Sequence, residues 1–405
     1  MQNILAIGFD TRNIVCSASR AGYTVCSIDA FRDLDLQECA YASALLECRT
    51  SGELRQLDPG WIVAKMNGFG LDFDAIVPGS GGMEMLDPSR FPCPPVLASS
   101  PEAVKEASNK LHLAKRLEAM GMPHPRCYSS NEPEAIEYPV ILKPATGGGG
   151  IFNRVANNRQ EMLEVLEELS GPDQGLTENE IVIQQFLEGT PPSSVSVLST
   201  KDEALAVAVN EQLTGIPWLS RLPFAYCGNI TPPFITEYAE EMEKLAEELI
   251  LELGLLGSCG VDFLVTEQGP VVLEVNPRFQ GSLDTVEKAM GINLFEAHAG
   301  CFRGGELPEK PKAKLFAARG VLYSDRELFI DRKLMEVILR EKSADIPPQK
   351  TVIEPDWPLT SLFEFASTRE EAIKSLEGGG AERIKTFIAE RITGEAESLS
   401  PAGEA

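Results

Sequence analysis

Two apolar runs that read as paired strands carry acids on the side where a sheet ordinarily carries none. Val261-Asp262-Phe263-Leu264-Val265 and Val271-Val272-Leu273-Glu274-Val275-Asn276 flank Glu267-Gln268-Gly269-Pro270, which reads as a hairpin turn. A turn centred on Gln268 sets Asp262 directly opposite Glu274, with Asn276 two residues on along the same face. Opposed residues stand about 5 Å apart, where like charges repel. Either the pair sits on a solvated edge or a cation lies between its members. Two carboxylates and an amide, all oxygen donors, suit a hard ion such as Mg²⁺, with Mn²⁺ as a substitute, and leave positions for water or phosphate oxygens.

At 405 residues and 43% hydrophobic content the chain can bury more than one core, and several domains are expected. No apolar stretch approaches the roughly 20 residues of a membrane span, and Met1-Gln2-Asn3-Ile4-Leu5-Ala6-Ile7 lacks a basic leader, so a cytoplasmic protein with no membrane partner is expected. A formal charge of −25 argues against nucleic acid as a partner. The nine cysteines contain no CxxC pair and read as small buried hydrophobes. His112, His124 and His298 are too scattered to supply a histidine metal site or a Ser-His-Asp triad.

Strand, helix and strand alternate from residue 4 to 29, and another strand at residues 73–78 leads into Gly79-Ser80-Gly81-Gly82. Such alternation implies a parallel sheet whose ligand loops lie at the strand carboxyl ends, here residues 8–12, 29–31 and 79–84. A break at Phe91-Pro92-Cys93-Pro94-Pro95 separates residues 1–99 from a second domain expected over 100–305. An acidic amphipathic helix, residues 237–253, precedes the hairpin. After Lys310-Pro311-Lys312-Ala313-Lys314 a C-terminal α+β domain is expected over 306–394, and residues 395–405 read as a disordered tail.

Pro139-Val140-Ile141-Leu142-Lys143-Pro144 is a buried strand that delivers a lysine, and Gly147-Gly148-Gly149-Gly150 follows closely. A glycine run lets backbone N–H groups approach phosphate oxygens, and the lysine adds a positive charge. The lysine precedes the glycines and no Lys-Ser or Lys-Thr follows them, so this is not a Walker A loop. Lys110 is a second candidate phosphate contact or an ordinary surface lysine. Gln184-Gln185-Phe186-Leu187-Glu188 ends an apolar strand that either offers backbone groups to a purine edge or simply leaves the core.

In this order Lys110, the Lys143 strand with its glycines, residues 184–189, Asp262 and Glu274-Val275-Asn276-Pro277-Arg278 resemble the ATP-grasp superfamily. Within it the chain is most similar to predicted ATP-dependent carboligases related to biotin carboxylase. The resemblance implies a multidomain α/β and α+β fold: a parallel pre-ATP-grasp αβ domain, a two-lobed ATP-grasp domain with its glycine-lid lobe at about residues 125–190, and a small C-terminal α+β domain.

It also implies roles. ATP would lie between the lobes, its phosphates held by Lys110 and Lys143 under a lid of Gly147, Gly148, Gly149 and Gly150. Adenine would be read along Gln184, Gln185, Phe186 and Leu187, and ribose by Glu188, while Asp262, Glu274 and Asn276 would bind Mg²⁺. Arg278 and Lys143 would be catalytic, through an acyl phosphate. A small carboxylic acid and an amine are the expected partners, met by Arg278, Gln280, Ser282, Asp10 and Arg12; a homodimer is compatible with this reading. Two departures matter. Serines 193, 194 and 196 stand where many members carry a second glutamate after the adenine segment, and Arg278-Phe279-Gln280-Gly281-Ser282-Leu283 lacks the acid that biotin carboxylases use on bicarbonate. The expected activity is therefore an ADP-forming carboxylate-amine ligase, with a bicarbonate-activating carboxylase or a non-catalytic ATP-binding module as alternatives.

Overall fold

A computed structural model describes residues 1–47, 59–81, 94–130, 133–171, 176–177, 180–189, 191–234 and 237–399. Residues 82–84 of the third expected ligand loop and 91–93 of the expected break lie outside these.

The chain opens with a parallel sheet of β1 (Asn3–Gly8), β2 (Thr24–Asp29), β3 (Ala42–Leu45) and β4 (Ala75–Pro78), in the order β3-β2-β1-β4. Both faces are covered, so its strands are mainly apolar. Leu5, Ile7, Cys26, Ile28 and Ile76 point into a core with Ile62 and Met66. The alternate residues Ile4, Ala6, Val25 and Val77 point the other way, against Phe279, Leu283, Val286 and Phe295. That second face packs on the segment that follows Arg278.

A smaller antiparallel sheet holds β5 (Cys127–Tyr128), β6 (Val140–Pro144), β7 (Arg154–Ala156) and β8 (Ile181–Gln185), in the order β5-β8-β6-β7. Its core includes Val140, Leu142, Ile183 and, from the helix Arg159–Ser170, Met162 and Leu169.

The largest sheet is formed by β9 (Ser193–Ser199), β10 (Ala204–Thr214), β11 (Tyr226–Thr231), β12 (Gly257–Thr266), β13 (Gly269–Asn276) and β14 (Phe316–Tyr323). A short pair, β15 (Leu328–Phe329) with β17 (Val352–Ile353), stands apart from it, whereas β16 (Ser343–Ala344) and β18 (Pro358–Ala366) join it. The order is β13-β12-β9-β10-β11-β14-β18-β16, so the strands after residue 306 continue the sheet that holds the acidic hairpin. The helix Ala239–Glu252 covers the hairpin end through Met242, Ala246, Leu249 and Ile250. Glu240, Glu241, Glu248 and Glu252 are exposed, as amphipathic spacing requires, while Glu247 accepts the Ala206 N–H at 2.8 Å.

Two expectations change. Cys16 and Cys39 form a disulfide between the helices Arg12–Arg20 and Leu34–Cys39, a pairing that spacing alone does not suggest because tertiary packing of the helices brings the two together. The final helix Glu382–Leu399 runs through residues 395–399 of the expected disordered tail, since Glu395-Ala396-Glu397 is a helix-forming run that continues the preceding turns. Residues 400–405 lie outside the described residues. Among the described residues no helix is long and apolar enough to cross a membrane.

Candidate functional site

The hairpin pairs Asp262 with Glu274, but not through the expected turn. Only Glu267 and Gln268 separate the strands, and Thr266 faces Gly269. With that two-residue turn alone Asp262 would oppose Leu273; an irregularity places Phe263 against Val272 and Asp262 against Glu274, so Leu273 is the extra residue of a β-bulge. Asn276 donates from Nδ2 to Asp262 Oδ2 at 3.1 Å, and its Oδ1 accepts from Arg278 at 3.2 Å. Asp262 Oδ1 is buried with no hydrogen bond.

Two lysines converge on the same acids. Asn109 caps the helix Lys110–Met120 by accepting from the N–H groups of Leu111 and His112, which fixes Lys110 at the helix start. Lys110 is 6% exposed; its Nζ lies 3.2 Å from Glu274 Oε2 and donates to Gly147 O at 2.9 Å. Lys143 stands in the central strand β6, paired with Val182, and is also buried. Burial, then Lys110, draws its ammonium down to about 8. Burial pushes the Glu274 carboxyl up, but Lys110 and Lys143 outweigh it and hold the group below the usual range. Burial and Glu274 together push Asp262 well above its own. Removed from water, the two acids cannot both ionise cheaply.

This donor set fits a hard cation. Two carboxylates and an amide converge, and one buried carboxylate oxygen has no partner. Among the described residues no group of three or more His, Cys, Asp or Glu side chains is placed to hold a metal, so a cation here depends on Asn276, on water or on a ligand's own oxygens.

The glycine loop closes against this floor. A Cβ on Gly148 would come 3.9 Å from an Arg278 nitrogen and 4.0 Å from Glu274 Oε1. Gly150 has φ +71 and lies so close to Phe224 that a Cβ would sit 1.9 Å from its carbonyl oxygen. Tyr226 donates its backbone N–H to Gly149 O at 3.0 Å. The segment from Gly215 to Tyr226 thus braces the loop. Glu211, on β10 before this segment, pairs with Arg369.

Residues 184–188 lie on the neighbouring strand β8 and just beyond it. The Gln185 N–H is taken by Arg126 O at 2.8 Å and the Phe186 N–H by Pro139 O at 3.2 Å. Gln184 is buried with Oε1 lacking a hydrogen bond, Phe186 meets Phe224 edge to face at 6.4 Å, and Glu188 is exposed.

Beyond Arg278, Gln280 and Ser282 are buried in a neutral network. Ser196 Oγ donates to Gln280 Oε1 at 2.9 Å and lies 3.3 Å from Ser282 Oγ. Asp10 and Arg12 belong to a different cluster, at the carboxyl end of β1. Arg12 pairs with Asp284 and Asp345, each at 2.8 Å, and is not grouped with Lys110 and Lys143. Sequence reasoning missed Arg319, which donates to Gly281 O at 2.7 Å and pairs with Asp345 at 2.8 Å. A lone arginine in the apolar run Ala317-Ala318-Arg319-Gly320-Val321-Leu322 is the same kind of anomaly as Lys143, and it was the available signal.

Residues 107–282 match the family model of the ATP-grasp domain, and they hold the glycine loop, both lysines and the acidic hairpin. The chain carries an ATP-grasp domain. An uncharacterised protein of Methanocaldococcus jannaschii is 27% identical over 386 residues, covering 92% of this chain and 89% of that relative. The carbamoyl phosphate synthase large chain of Pyrococcus furiosus is 28% identical over 240 residues, 56% of this chain but only 22% of that much longer relative. Among solved structures, biotin carboxylase from Campylobacter jejuni, described as a β,γ-ATP complex, superposes with a TM-score of 0.72 at 18% identity over 92% of this chain and 89% of that one. An L-amino acid ligase from Bacillus licheniformis gives a TM-score of 0.69 at 16% identity, over 95% and 98%. The ATP-grasp fold therefore extends, with its flanking regions, along most of the chain.

Proposed function

We propose that this protein is an ADP-forming carboxylate-amine ligase acting on a small metabolite. One observation carries the reading: Lys110, Lys143, the glycine loop and Arg278 converge on the Asp262–Glu274 pair, of which Asp262 Oδ1 is buried without a hydrogen bond. Lys110 and Lys143 would hold the triphosphate, and Gly147 to Gly150 would close over it. The backbone beyond Gln184 would meet adenine, with the Gln185 carbonyl rather than its engaged N–H on the base; Glu188, exposed at the end of the segment, would reach the ribose. Asp262, Glu274 and Asn276 would hold Mg²⁺, which when bound neutralises phosphate charge during transfer.

In the reaction a carboxylate oxygen of the acid attacks the γ-phosphorus, the bond to the β-phosphate oxygen breaks, and ADP leaves. The amine nitrogen then attacks the acyl carbon of the acyl phosphate. A C–N bond forms, the C–O bond to phosphate breaks, and the amine gives up a proton. Arg278, 3.2 Å from Asn276, would offset the charge on the acyl phosphate. Gln280 and Ser282 would line the acyl side. At 16% and 18% identity the L-amino acid ligase and the biotin carboxylase among the solved relatives each support the fold alone. Against carboxylation, positions 279–283 offer no carboxylate for bicarbonate.

ADP and phosphate release tested over a panel of acids and amines, with and without bicarbonate, decides the matter. Release that requires both an acid and an amine is expected. Release driven by bicarbonate alone would replace ligation with carboxylation, and silence across the panel would remove the ligase reading.

A further inference from the structure

Three arginines reach the polar ground around the acyl side, and two of them are matched by acids. Arg12 pairs with Asp284 and Asp345 at 2.8 Å and with Asp35 at 3.5 Å, and Arg319 pairs with Asp345 at 2.8 Å. Both serve a loop cluster of six aspartates, Asp10, Asp29, Asp33, Asp35, Asp284 and Asp345. Arg278 is held differently. Its Nη1 donates to Phe279 O at 3.0 Å and its Nη2 to Asn276 Oδ1 at 3.2 Å, and it makes no ion pair among the described residues. A half-buried guanidinium close to an acid pair is ordinarily claimed by a carboxylate; here two neutral oxygens hold it, and its charge is left for another anion.

Asn276 is the point on which this arrangement turns. Its amide nitrogen donates to Asp262 Oδ2 at 3.1 Å, and its oxygen receives Arg278. The carboxylate on one side and the guanidinium on the other fix which end of the amide points where. A hard cation is held by oxygen, so a cation shared by Asp262, Glu274 and Asn276 needs the very atom on which Arg278 Nη2 rests. An amide oxygen has two lone pairs, but a divalent cation and a guanidinium on one oxygen would stand at most about 5 Å apart and repel each other away from bulk water.

The surroundings leave Nη2 free to move and keep the rest of the side chain anchored. The bond from Nη1 to Phe279 O is untouched by the loss of Asn276, so the guanidinium stays beside the buried Gln280. Above it a Cβ on Gly148 would still lie 3.9 Å from Nη2 and 4.0 Å from Glu274 Oε1, so the glycine loop covers both the arginine and the acid without filling the space between.

We infer that Asn276 couples the two halves of the site: Arg278 and a divalent cation exclude each other from its amide oxygen, so that binding of the cation releases Arg278 to take an anion, the carboxylate or acyl phosphate of the acid substrate. This rests on the metal assignment within the ligase reading and adds an order to it, cation first and acid second. By reciprocity an acid held by Arg278 tightens the cation.

The test needs no turnover. Calorimetry gives the affinity of the full chain for ADP in saturating Mn²⁺ and in EDTA, and the ratio of the two reports how well the protein holds the cation. R278M is expected to raise that ratio about tenfold or more over wild type, because the competitor for Asn276 is gone. Removing any positive charge would give part of such a gain, so the decisive comparison is made in N276A, where adding R278M is expected to change the ratio by less than about twofold. ADP binding in EDTA by all four proteins shows that each is folded. An equal gain in both backgrounds is plain charge repulsion and overturns the inference, as does an R278M ratio no higher than that of wild type. If in either case Mn²⁺ still strengthens ADP binding by wild type and E274A abolishes that effect, the metal assignment stands and only the coupling falls. Wild type that binds ADP no better with Mn²⁺ than in EDTA overturns the metal assignment and the inference with it.

Discussion

The hairpin site and the loop cluster are both buried and highly charged, yet their balance is opposite. Around the hairpin, Asp262 and Glu274 meet Lys110, Lys143 and Arg278. In the cluster, six aspartates meet two arginines. A surplus of cations with one acid pair in its floor suits a polyanion that brings its own metal, whereas a surplus of acids suits a cation. The two regions adjoin, since Arg319 of the cluster donates to Gly281 O beyond Arg278, yet their charge balance differs in sign.

Removing a cation from the cluster is the severest test of this contrast. Arg12 is 4% exposed and pairs with Asp35, Asp284 and Asp345; Asp345 keeps Arg319 and Asp35 keeps two backbone N–H donors, so R12M chiefly deprives Asp284 of its cation and is expected to cost about 3–5 kcal/mol in urea unfolding. A loss below about 1 kcal/mol would mean that the cluster is far better solvated than its burial indicates. At the hairpin the matching change, E274A, removes an acid from a region with cations to spare. The fold is expected to survive while ADP release falls about 10²–10³-fold. Unchanged Mg²⁺-dependent turnover would end the metal assignment.

A third change separates the lid from the charges. G150A forces a Cβ to 1.9 Å from Phe224 O at φ +71, and a local cost of about 1–3 kcal/mol is expected, read as a raised KM for ATP. Gly147 has no heavy atom within 4 Å of its Cβ position, so G147A is expected to do less, through its backbone conformation alone. Equal effects would show that the bracing by Phe224 does not matter.

The smallest effect is in pH dependence. Burial, then Asp345 and Asp29, raise the Asp10 carboxyl from 3.8 to about 7. The folded state thus holds a proton that the unfolded chain has lost, so the stability Asp10 contributes is full below pH 3.8 and disappears as pH rises through about 7. D10N should therefore gain on wild type between pH 4 and 8, by on the order of 1–2 kcal/mol. A constant difference across that range would place Asp10 in ordinary solvent.

What could be read from the chain differs between the two regions for a physical reason. Lys143, the glycine run and the acids of the hairpin stand out because each breaks a strand pattern within a few residues. Their order is what resembles the ATP-grasp superfamily. Lys110 showed no such break; only the cap at Asn109 and the return of Gly147 make it a buried contact. In the cluster the partners are far apart in sequence: Asp35 receives the N–H of Asp345, and Arg12 reaches Asp284. No local pattern records such pairings. Asp33 in particular is one polar residue in a polar loop, and nothing in that loop records its burial. Arg319 was legible by the same rule that found Lys143, as a charge in an apolar strand.

The bulge at Leu273 carries a different kind of information. Its side chain belongs to no charged group, and a change of side chain there should leave the chemistry alone. Its presence as one more link in β13 decides which residue meets Asp262. The ion site is therefore specified partly by a count of residues. Deleting Leu273 while keeping every acid and lysine would leave a hairpin with two correct ligands facing the wrong neighbours. Such a site can be lost through length while every functional residue is still in place.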